Sequence, residues 1–345
     1  MYMPQIYPSL CASLPLGLLS PDDLRLDLFL EDIEQLFQAH QQVDDDLPYV
    51  AAPFPHLPWM EALLGCRIIN MGTSIYAEPV VEDWEVWQLP DLDTSQWLRK
   101  LLEMTKALVE WSEGRFLVGQ TLMRGVADML SALRGASNFV FDSYDNPSGL
   151  RRAAGLCASA FVQVAWAQLN LIPHSGFGYG VGNQPLWAPE QIIWLQEDAM
   201  ALMSPTSYKE FILPHDRCIL SQFPYSAFHL HGSGMWAVGT LIGLSELSIV
   251  ELHDDSGQVG QEASFRAWKA IQTHKPLVVL RVYDGAPAFW IWLTRVMEEL
   301  CPNGLLLHIV VPSVAEGLEV KHRFMEMARR SEAHVSTSPG EHGGI

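Results

Sequence analysis

The sequence predicts a (β/α)₈ TIM barrel with an N-terminal helical extension. Short apolar or β-branched runs alternate with longer amphipathic segments, which is typical of repeated βα units around a parallel sheet. Hydrophobic residues make up 49% of the 345 residues and charged residues only 18%, so the chain can bury a large core. A single barrel domain reaches this size, and a doubly wound open sheet is the alternative.

The predicted barrel spans residues 51–330. Residues 1–50 form the predicted extension, in which residues 21–45 have helical spacing after the start signal Ser20-Pro21-Asp22. Residues 331–345 lose this periodicity and are expected to be a mobile tail.

Six segments have the pattern of barrel strands, and two further segments at 66–70 and 74–80 bring the number to eight. The six strands are predicted at 116–121, 192–197, 226–231, 247–252, 276–282 and 305–311. Helices are predicted at 94–112, 125–134, 149–168, 205–221, 261–273, 286–300 and 315–330. The glycine-rich stretch 176–183, "GFGYGVGN", is interpreted as a mobile loop over the barrel mouth.

Charge and composition disfavour several classes of binding partner. Forty acidic residues against 21 basic ones give a net charge of −19, which disfavours binding to nucleic acid or to an anionic membrane surface. No apolar run has the length of a membrane span, and the five cysteines are scattered without metal-type spacing. These features favour a cytoplasmic protein that acts on a small molecule.

Two histidines stand out because active sites of this fold lie at the carboxyl ends of strands. In "FHLHGSG" (228–234), His229 and His231 are two positions apart on one strand, so they point to the same face. Glu251 ends the next strand, and adjacent parallel strands lie about 4.8 Å apart. Two imidazoles and a carboxylate suit zinc. The alternative is that the histidines only hydrogen bond to neighbouring carboxylates.

Three further polar residues at predicted strand ends are candidates for catalysis. Asp198 is the candidate general base or substrate contact. Arg124 and Arg281 follow apolar strands and are candidates for binding an anionic group of the substrate. The alternative is that they form structural salt bridges, with Asp128 or Asp284 as partners.

Several motifs resemble the uroporphyrinogen decarboxylase superfamily over about residues 50–330. They are "LPWMEALLGC" (57–66), "GRFLVGQTLMRGVADMLSALRG" (114–135), "DAMALMSPTSYKEFILPHDR" (198–217) and "FHLHGSG" (228–234). The resemblance implies a (β/α)₈ barrel with its cleft at the carboxyl ends of the strands, and a homodimer. The arginine motif of true uroporphyrinogen decarboxylases is absent from the sequence, which disfavours tetrapyrrole decarboxylation.

The site resembles more closely the branch of cobalamin-associated methyltransferases and cobalamin-independent methionine synthase. In that branch zinc is bound by His-x-Cys, a Glu on the next strand and a late Cys. Here His229 and Glu251 match, His231 replaces the first Cys, and Ser313 stands near the second. The resemblance implies metal-dependent methyl transfer, with a corrinoid protein as a partner. Two alternatives stay open: a metal-free decarboxylase or lyase, and a barrel that binds a corrinoid protein without catalysis.

Overall fold

The computed structural model describes residues 6–182 and 184–337, which form a mixed α/β fold. The strands are β1 (Gly17–Leu18), β2 (Val50–Ala51), β3 (Arg67–Asn70), β4 (Ile75–Glu78), β5 (Leu117–Gln120), β6 (Tyr179–Val181), β7 (Gln184–Ala188), β8 (Ile192–Gln196), β9 (Tyr225–Leu230), β10 (Ile249–Leu252), β11 (Leu277–Val282) and β12 (Leu305–Val310). The α-helices are α1 (Pro8–Ser13), α2 (Leu26–Val43), α3 (Trp59–Leu63), α4 (Gln96–Ser112), α5 (Val126–Arg134), α6 (Ala136–Asp145), α7 (Pro147–Leu169), α8 (Pro205–Phe211), α9 (Leu213–Leu220), α10 (Val238–Leu241), α11 (Ser256–Val259), α12 (Gln261–Gln272), α13 (Pro287–Glu299) and α14 (Val314–Thr337). Short 3₁₀ helices occur at Pro21–Asp23, Leu92–Thr94, Asp198–Leu202 and Gly232–Ala237.

Two of the long helices, α4 and α7, begin at side-chain caps. Ser95 caps α4 by accepting a hydrogen bond from the backbone N–H of Leu98, and Asn146 caps α7 by accepting from Gly149. The buried residues of α4 recur at helical spacing, so one face of the helix packs on the core.

The main sheet is parallel and has the strand order β12-β11-β10-β9-β8, so strands that follow one another in this part of the chain are also neighbours in space. Helices between these strands cover its outer face, where the large apolar core lies. All carboxyl ends of the strands meet at one edge, which we call the exit edge. This sheet is the half-barrel on which the candidate site is built.

The inner face of the half-barrel carries a second apolar cluster. It joins the main sheet to β6 and β7, and it contains Val181, Leu186, Ala188, Ile192, Trp194, Ala227 and Val278. Nδ1 of His308 on β12 lies 2.8 Å from Oε1 of Gln184 at the start of β7, which links the far edge of the main sheet to the second sheet. A filled apolar interior therefore lies between the two sheets.

The prediction of eight barrel strands holds in part. The six strands from 116–121 to 305–311 are present, but the described residues form three separate sheets rather than one closed ring. The segments predicted at 66–70 and 74–80 form the antiparallel pair β3–β4, joined by β1 in a small separate sheet. Antiparallel neighbours need only a short turn, whereas parallel neighbours need a crossover, and only three residues separate these two predicted segments.

The second sheet contains strands that the sequence pattern does not indicate. It has the order β2-β5-β6-β7, with β2, β5 and β6 parallel and β7 antiparallel to β6. The predicted loop at 176–183 therefore contains a strand, although Asn183 lies outside the described residues. A Cβ at Gly180 would lie 2.6 Å from Cγ1 of Val50, so the glycine reflects close approach of strands rather than a loop.

The predicted N-terminal extension contains the expected helix as α2, which packs against α4 and against the last helix, α14. Lys321 on α14 donates hydrogen bonds to the carbonyl oxygens of Val43 and Asp44 at the end of α2. The predicted tail begins inside α14, which continues to Thr337; residues 338–345 lie outside the described residues. None of the helices in the described part of the chain combines the length and apolar character that crossing a bilayer requires.

Candidate functional site

Strand register places the candidate residues in two rows at the exit edge. Gln196, His229 and Glu251 are aligned neighbours on β8, β9 and β10, so their side chains point to the same face. Trp194 and Ala227 are aligned one pleat below them and belong to the inner apolar cluster. The candidate site therefore lies directly on top of the filled interior.

The second row follows two residues later and consists of Asp198, His231 and His253. Asp198 begins a 3₁₀ helix after β8, and His231 precedes another after β9. Both rows face the same side because side chains alternate along an extended chain. The sequence-predicted Asp198, His229, His231 and Glu251 are thus brought together.

His229 is held from behind by Glu251. Its Nδ1 hydrogen bonds to Oε2 of Glu251, both side chains are buried, and the ring lies 5.4 Å from that of Trp194. Burial alone would lower the pKa of His229, but the carboxylate of Glu251, with Asp198 and Asp128 beyond it, raises the pKa to about 9. Nε2 of His229, on the opposite side of the ring from Glu251, faces Asp198.

Glu251 lies behind His229, and not between the two histidines where a carboxylate ligand common to both would lie. One carboxylate oxygen is engaged with His229, and the other, Oε1, is buried without a hydrogen-bond partner in the described part of the chain. Glu251 is aligned with His229 itself, so the two side chains lie side by side on adjacent strands. It fixes the orientation of the His229 ring.

Asp198 faces both histidines. Its Oδ1 lies 3.9 Å from Nε2 of His229 and 4.0 Å from Nε2 of His231, and its side chain is 43% exposed. Its Oδ2 accepts a 2.6 Å hydrogen bond from the side-chain amide of Gln196. The backbone N–H groups of Asp198 and Ala199 donate to Asp128, which fixes the start of this 3₁₀ helix.

His231 is oriented by Asp255, a residue that the sequence reasoning missed. Nδ1 of His231 lies 2.9 Å from Oδ2 of Asp255, and Nδ1 of His253 lies 2.8 Å from Oδ1. The backbone N–H of Gly232 also donates to Oδ2 of Asp255, at 2.7 Å. The signal in the sequence is the acidic pair Asp254–Asp255 directly after His253.

Two groups of side chains have the spacing of metal ligands. In the first group, one ligand atom each from Asp198, His229 and His231 lies within 4.8 Å of the others. In the second group, the ligand atoms of His231, His253 and Asp255 lie close together because Asp255 hydrogen bonds to both imidazoles. The first group fits zinc or a similar divalent ion better, because its two imidazole nitrogens and its carboxylate oxygen face one another without hydrogen bonding to one another.

Arg124 lies at the exit edge and is partly exposed. Its Nη1 forms a 3.1 Å ion pair with Oε1 of Glu61, while 43% of the Arg124 side chain stays accessible. The carboxylates of Glu61 first, and then of Asp128 and Asp198, raise the pKa of Arg124. The main partner is therefore Glu61, which is 63 residues earlier on α3, rather than the predicted Asp128.

Arg281 is engaged in a buried ion pair. Its Nη1 lies 2.6 Å from Oδ2 of Asp254, and its guanidinium carbon lies 4.5 Å from the ring centre of Trp292. The alternative partner considered from the sequence, Asp284, instead accepts a hydrogen bond from the backbone N–H of Ala286. Arg281 thus has the surroundings of a structural residue.

Ser313, the residue near the position of the late Cys, starts a helix. Its hydroxyl accepts a hydrogen bond from the backbone N–H of Glu316 and donates to Oε2 of the same residue, at 2.7 Å. These contacts form an N-terminal cap for α14. They give Ser313 a local structural role.

A buried carboxyl network lies beside Asp198. Glu197 accepts hydrogen bonds from the first backbone N–H groups of α5, at Val126 and Ala127. Burial and the nearby Asp216 raise the pKa of Glu197 well above its ordinary value. Asp216 accepts a 2.8 Å hydrogen bond from the hydroxyl of Tyr208, and burial raises the pKa of Asp216 to about 6.

Comparison with known proteins gives a likeness in fold. No family model matches the chain, and no curated protein matches it. A solved structure described as a methyltransferase from Methanosarcina mazei is similar, with a TM-score of 0.63 over 93% of this chain and 98% of that chain. The sequence identity is 16%, so the likeness establishes a shared fold and no more.

Proposed function

We propose that this protein is a metal-dependent one-carbon (methyl) transferase that acts at the exit edge of a (β/α)₈-type barrel. The observation that carries the proposal is the pair His229 and His231. Each has its Nδ1 engaged by a carboxylate, so Nε2 is the ring nitrogen that a metal ion would bind in place of a proton. The sequence resemblance to methyltransferases of the uroporphyrinogen decarboxylase superfamily and the fold shared with the Methanosarcina mazei protein support the reaction class.

The proposed reaction moves a methyl group between a donor and a nucleophilic acceptor, one of which is a small molecule. The acceptor atom forms the new bond to carbon, while the donor keeps the electron pair of the bond that breaks. A corrinoid on a partner protein is the proposed methyl carrier. Zinc, when bound, would lower the pKa of the acceptor group, and imidazole and carboxylate ligands suit hydroxyl-type acceptors better than a thiolate-rich site does.

The chain's own residues position the substrate. The partly exposed Arg124 guanidinium is placed to bind an anionic group, and Asp198 is the carboxylate that faces Nε2 of both histidines. A metal-free lyase would have to hold its acidic substrate through both arginines, Arg124 and Arg281. The ion pair between Arg281 and Asp254 weighs against it, because a paired and buried guanidinium is a poor substrate ligand.

The test uses the full-length protein, stripped of metal and then reloaded with Zn²⁺. Methylcobalamin serves as donor with thiol, alcohol and amine acceptors, and transfer is followed by loss of the methyl–cobalt absorption and by mass spectrometry of the acceptor. We expect transfer only with metal, and a loss of more than about a hundredfold in His231→Ala. The control is His322→Ala on the exposed face of α14.

Two results would contradict the proposal. One is transfer at the same rate in chelated and reloaded protein. The other is absence of transfer to every acceptor class while the protein releases CO₂ from carboxylated substrates, which would favour the lyase.

A further inference from the structure

We infer that the metal ion of the proposed site is bound by Asp198, His229 and His231, and that Glu251 and Asp255 orient the two imidazoles from behind. This inference rests on the metal requirement of the proposed function. It gives Glu251 a role different from the ligand predicted from the sequence and from the resemblance. Asp198, predicted as a general base, becomes the third ligand.

The first argument concerns which ring nitrogens are available. Nδ1 of His229 is engaged by Glu251 and Nδ1 of His231 by Asp255. Each histidine therefore offers Nε2, and Oδ1 of Asp198 is the carboxylate oxygen that faces both Nε2 atoms. Glu251 lies on the Nδ1 side of His229, away from this point of convergence.

The second argument concerns distance. A zinc ion bonds to nitrogen and oxygen ligands at about 2.0–2.2 Å, so it can join two such atoms that are up to about 4.2 Å apart, and a tetrahedral angle requires about 3.4 Å. The separations of 3.9 and 4.0 Å from Asp198 to the two Nε2 atoms lie within reach. A movement of about half an ångström by the partly exposed Asp198 side chain would bring these two separations to the value that a tetrahedral angle requires.

The third argument concerns the partners of the ligands. Histidine ligands of metals nearly always donate their second ring N–H to a carboxylate, carbonyl or water, and ligating carboxylates are themselves hydrogen bonded. All three proposed ligands meet this condition, through Glu251, Asp255 and the amide of Gln196. Asp255 is itself fixed by the N–H of Gly232 and by His253.

The donor set defines the class of metal. Two nitrogen atoms and one carboxylate oxygen suit Zn²⁺ and the neighbouring first-row divalent ions, whereas Ca²⁺ and Mg²⁺ prefer oxygen ligands alone. Three protein ligands leave coordination positions for a substrate donor atom. No sulfur ligand takes part in this set.

Direct metal binding tests the inference without an activity assay. Metal-stripped full-length protein is titrated with Zn²⁺ against a chromophoric chelator and with Co²⁺, whose absorption spectrum reports ligand type and geometry. The variants are Asp198→Asn, Glu251→Gln and Asp255→Asn, with Asp46→Asn, an exposed residue before β2, as the matched control. Circular dichroism and thermal unfolding verify that each variant is folded.

We expect one ion per chain in the wild-type protein and no sulfur-to-cobalt charge-transfer band. Asp198→Asn should weaken binding more than about a hundredfold, because it removes a ligand. Glu251→Gln and Asp255→Asn should weaken it about 10- to 100-fold, because they remove only orienting partners. Asp46→Asn should bind as the wild type does.

Different results overturn different statements. If Asp198→Asn binds as tightly as the wild type while Glu251→Gln abolishes binding, Glu251 is the ligand; the inference is then wrong and the proposed metal-dependent function stands. If the wild-type protein binds neither Zn²⁺ nor Co²⁺, the inference fails together with the metal requirement. The methyl-transfer assay then decides separately whether a metal-free transferase remains.

Discussion

Glu251 and Asp198 are carboxylates near the same imidazole, and their surroundings give them different properties. Glu251 is fully buried and bonded to Nδ1 of His229, whereas Asp198 is partly exposed and faces Nε2 of both His229 and His231. A buried carboxylate aligned with its partner fixes an orientation, and an exposed one is free to bind an incoming ion. Glu251 and Asp198 therefore have different roles, although both are carboxylates, because they lie on opposite sides of the His229 ring.

Asp216 should make stability depend on pH. Burial raises the pKa of Asp216 to about 6 from an ordinary value of 3.8, so the folded protein holds this proton more tightly than the unfolded chain does. The stability that Asp216 contributes in this way is fully present below pH 3.8 and is lost as the pH rises through 6. Asn at this position has no proton to lose. From pH 5 to pH 8 the stability of Asp216→Asn relative to wild type should therefore increase by about 1 kcal/mol, measured by urea unfolding.

The control for this prediction is Asp46→Asn, because Asp46 is exposed. Its stability relative to wild type should be the same at both pH values. A difference for Asp216→Asn that is constant or that shrinks between pH 5 and pH 8 would contradict the raised pKa.

Removing Arg281 should destabilise the fold rather than weaken substrate binding alone. Arg281→Met keeps an apolar contact with Trp292 but removes the guanidinium that lies 2.6 Å from the buried carboxylate of Asp254. We expect the free energy of unfolding to fall by about 3 kcal/mol. The double variant Arg281→Met/Asp254→Asn should recover part of the loss in the same urea titration. Unchanged stability with weaker substrate binding would instead identify Arg281 as a substrate ligand.

The sequence predicted which candidate residues lie close together but not the residues that hydrogen bond to them. The spacing of His229 and His231 and the position of Asp198 follow from strand periodicity, which is local. Asp255 and Glu61 were missed because their roles depend on a turn geometry and on a contact between residues 63 positions apart, respectively. No periodicity in the sequence encodes such contacts.

At the scale of elements, the start of α5 is fixed by a buried acid. Glu197 accepts hydrogen bonds from the first two N–H groups of α5, which would otherwise lack partners. The chain can approach this closely only because residue 125 has no side chain: a Cβ there would lie 2.1 Å from Oε1 of Glu197. Since Asp198 follows Glu197, this contact also holds the candidate ligand in place.

Gly125→Ala should therefore be costly. The added methyl group must displace Glu197 or the start of α5, and overpacking of this kind costs about 1–3 kcal/mol. The matched control is Gly239→Ala in α10, where nothing lies within 4 Å of the added atom. The control should be neutral or slightly stabilising, because alanine favours helix. Equal unfolding midpoints for both variants in urea would contradict the close contact at Gly125.

Long elements were predictable and short ones were not. Apolar periodicity indicated the five strands of the main sheet and helices such as α4 and α14, because these segments bury a regular face. β2 and β6, of two and three residues, are too short for a pattern. The β3–β4 pair was counted with the barrel strands because a strand pattern does not reveal its pairing direction.

At the scale of the whole molecule, the dominant property is excess negative charge. The net charge of −19 comes from 40 acidic and 21 basic residues. Like charges repel one another more in the folded chain than in the expanded unfolded one, so such an excess opposes folding. Several of the exposed acidic residues, among them Asp46, Glu82 and Glu85, have no counterion among the described residues.

Salt should stabilise this protein. Raising NaCl from 0.01 to 0.1 M shortens the Debye length from about 30 Å to about 10 Å and so screens the repulsion. The unfolding temperature measured by circular dichroism should increase over this range. The triple variant Asp46→Asn/Glu82→Gln/Glu85→Gln should show a smaller increase. A decrease in the wild-type protein would mean that favourable ion pairs outweigh the repulsion.

The pairing of α2 with α14 has a consequence for synthesis. Lys321 bonds to backbone atoms 277 and 278 residues earlier, and a Cβ at Gly317 would lie 2.9 Å from Cγ2 of Val43. The surface of α2 that contacts α14 is synthesised well before its partner, because Lys321 follows Asp44 by 277 residues. Throughout that interval the nascent protein exposes this surface, so a ribosome stalled before α14 should hold a chain that chaperones bind and proteases cut near residue 43.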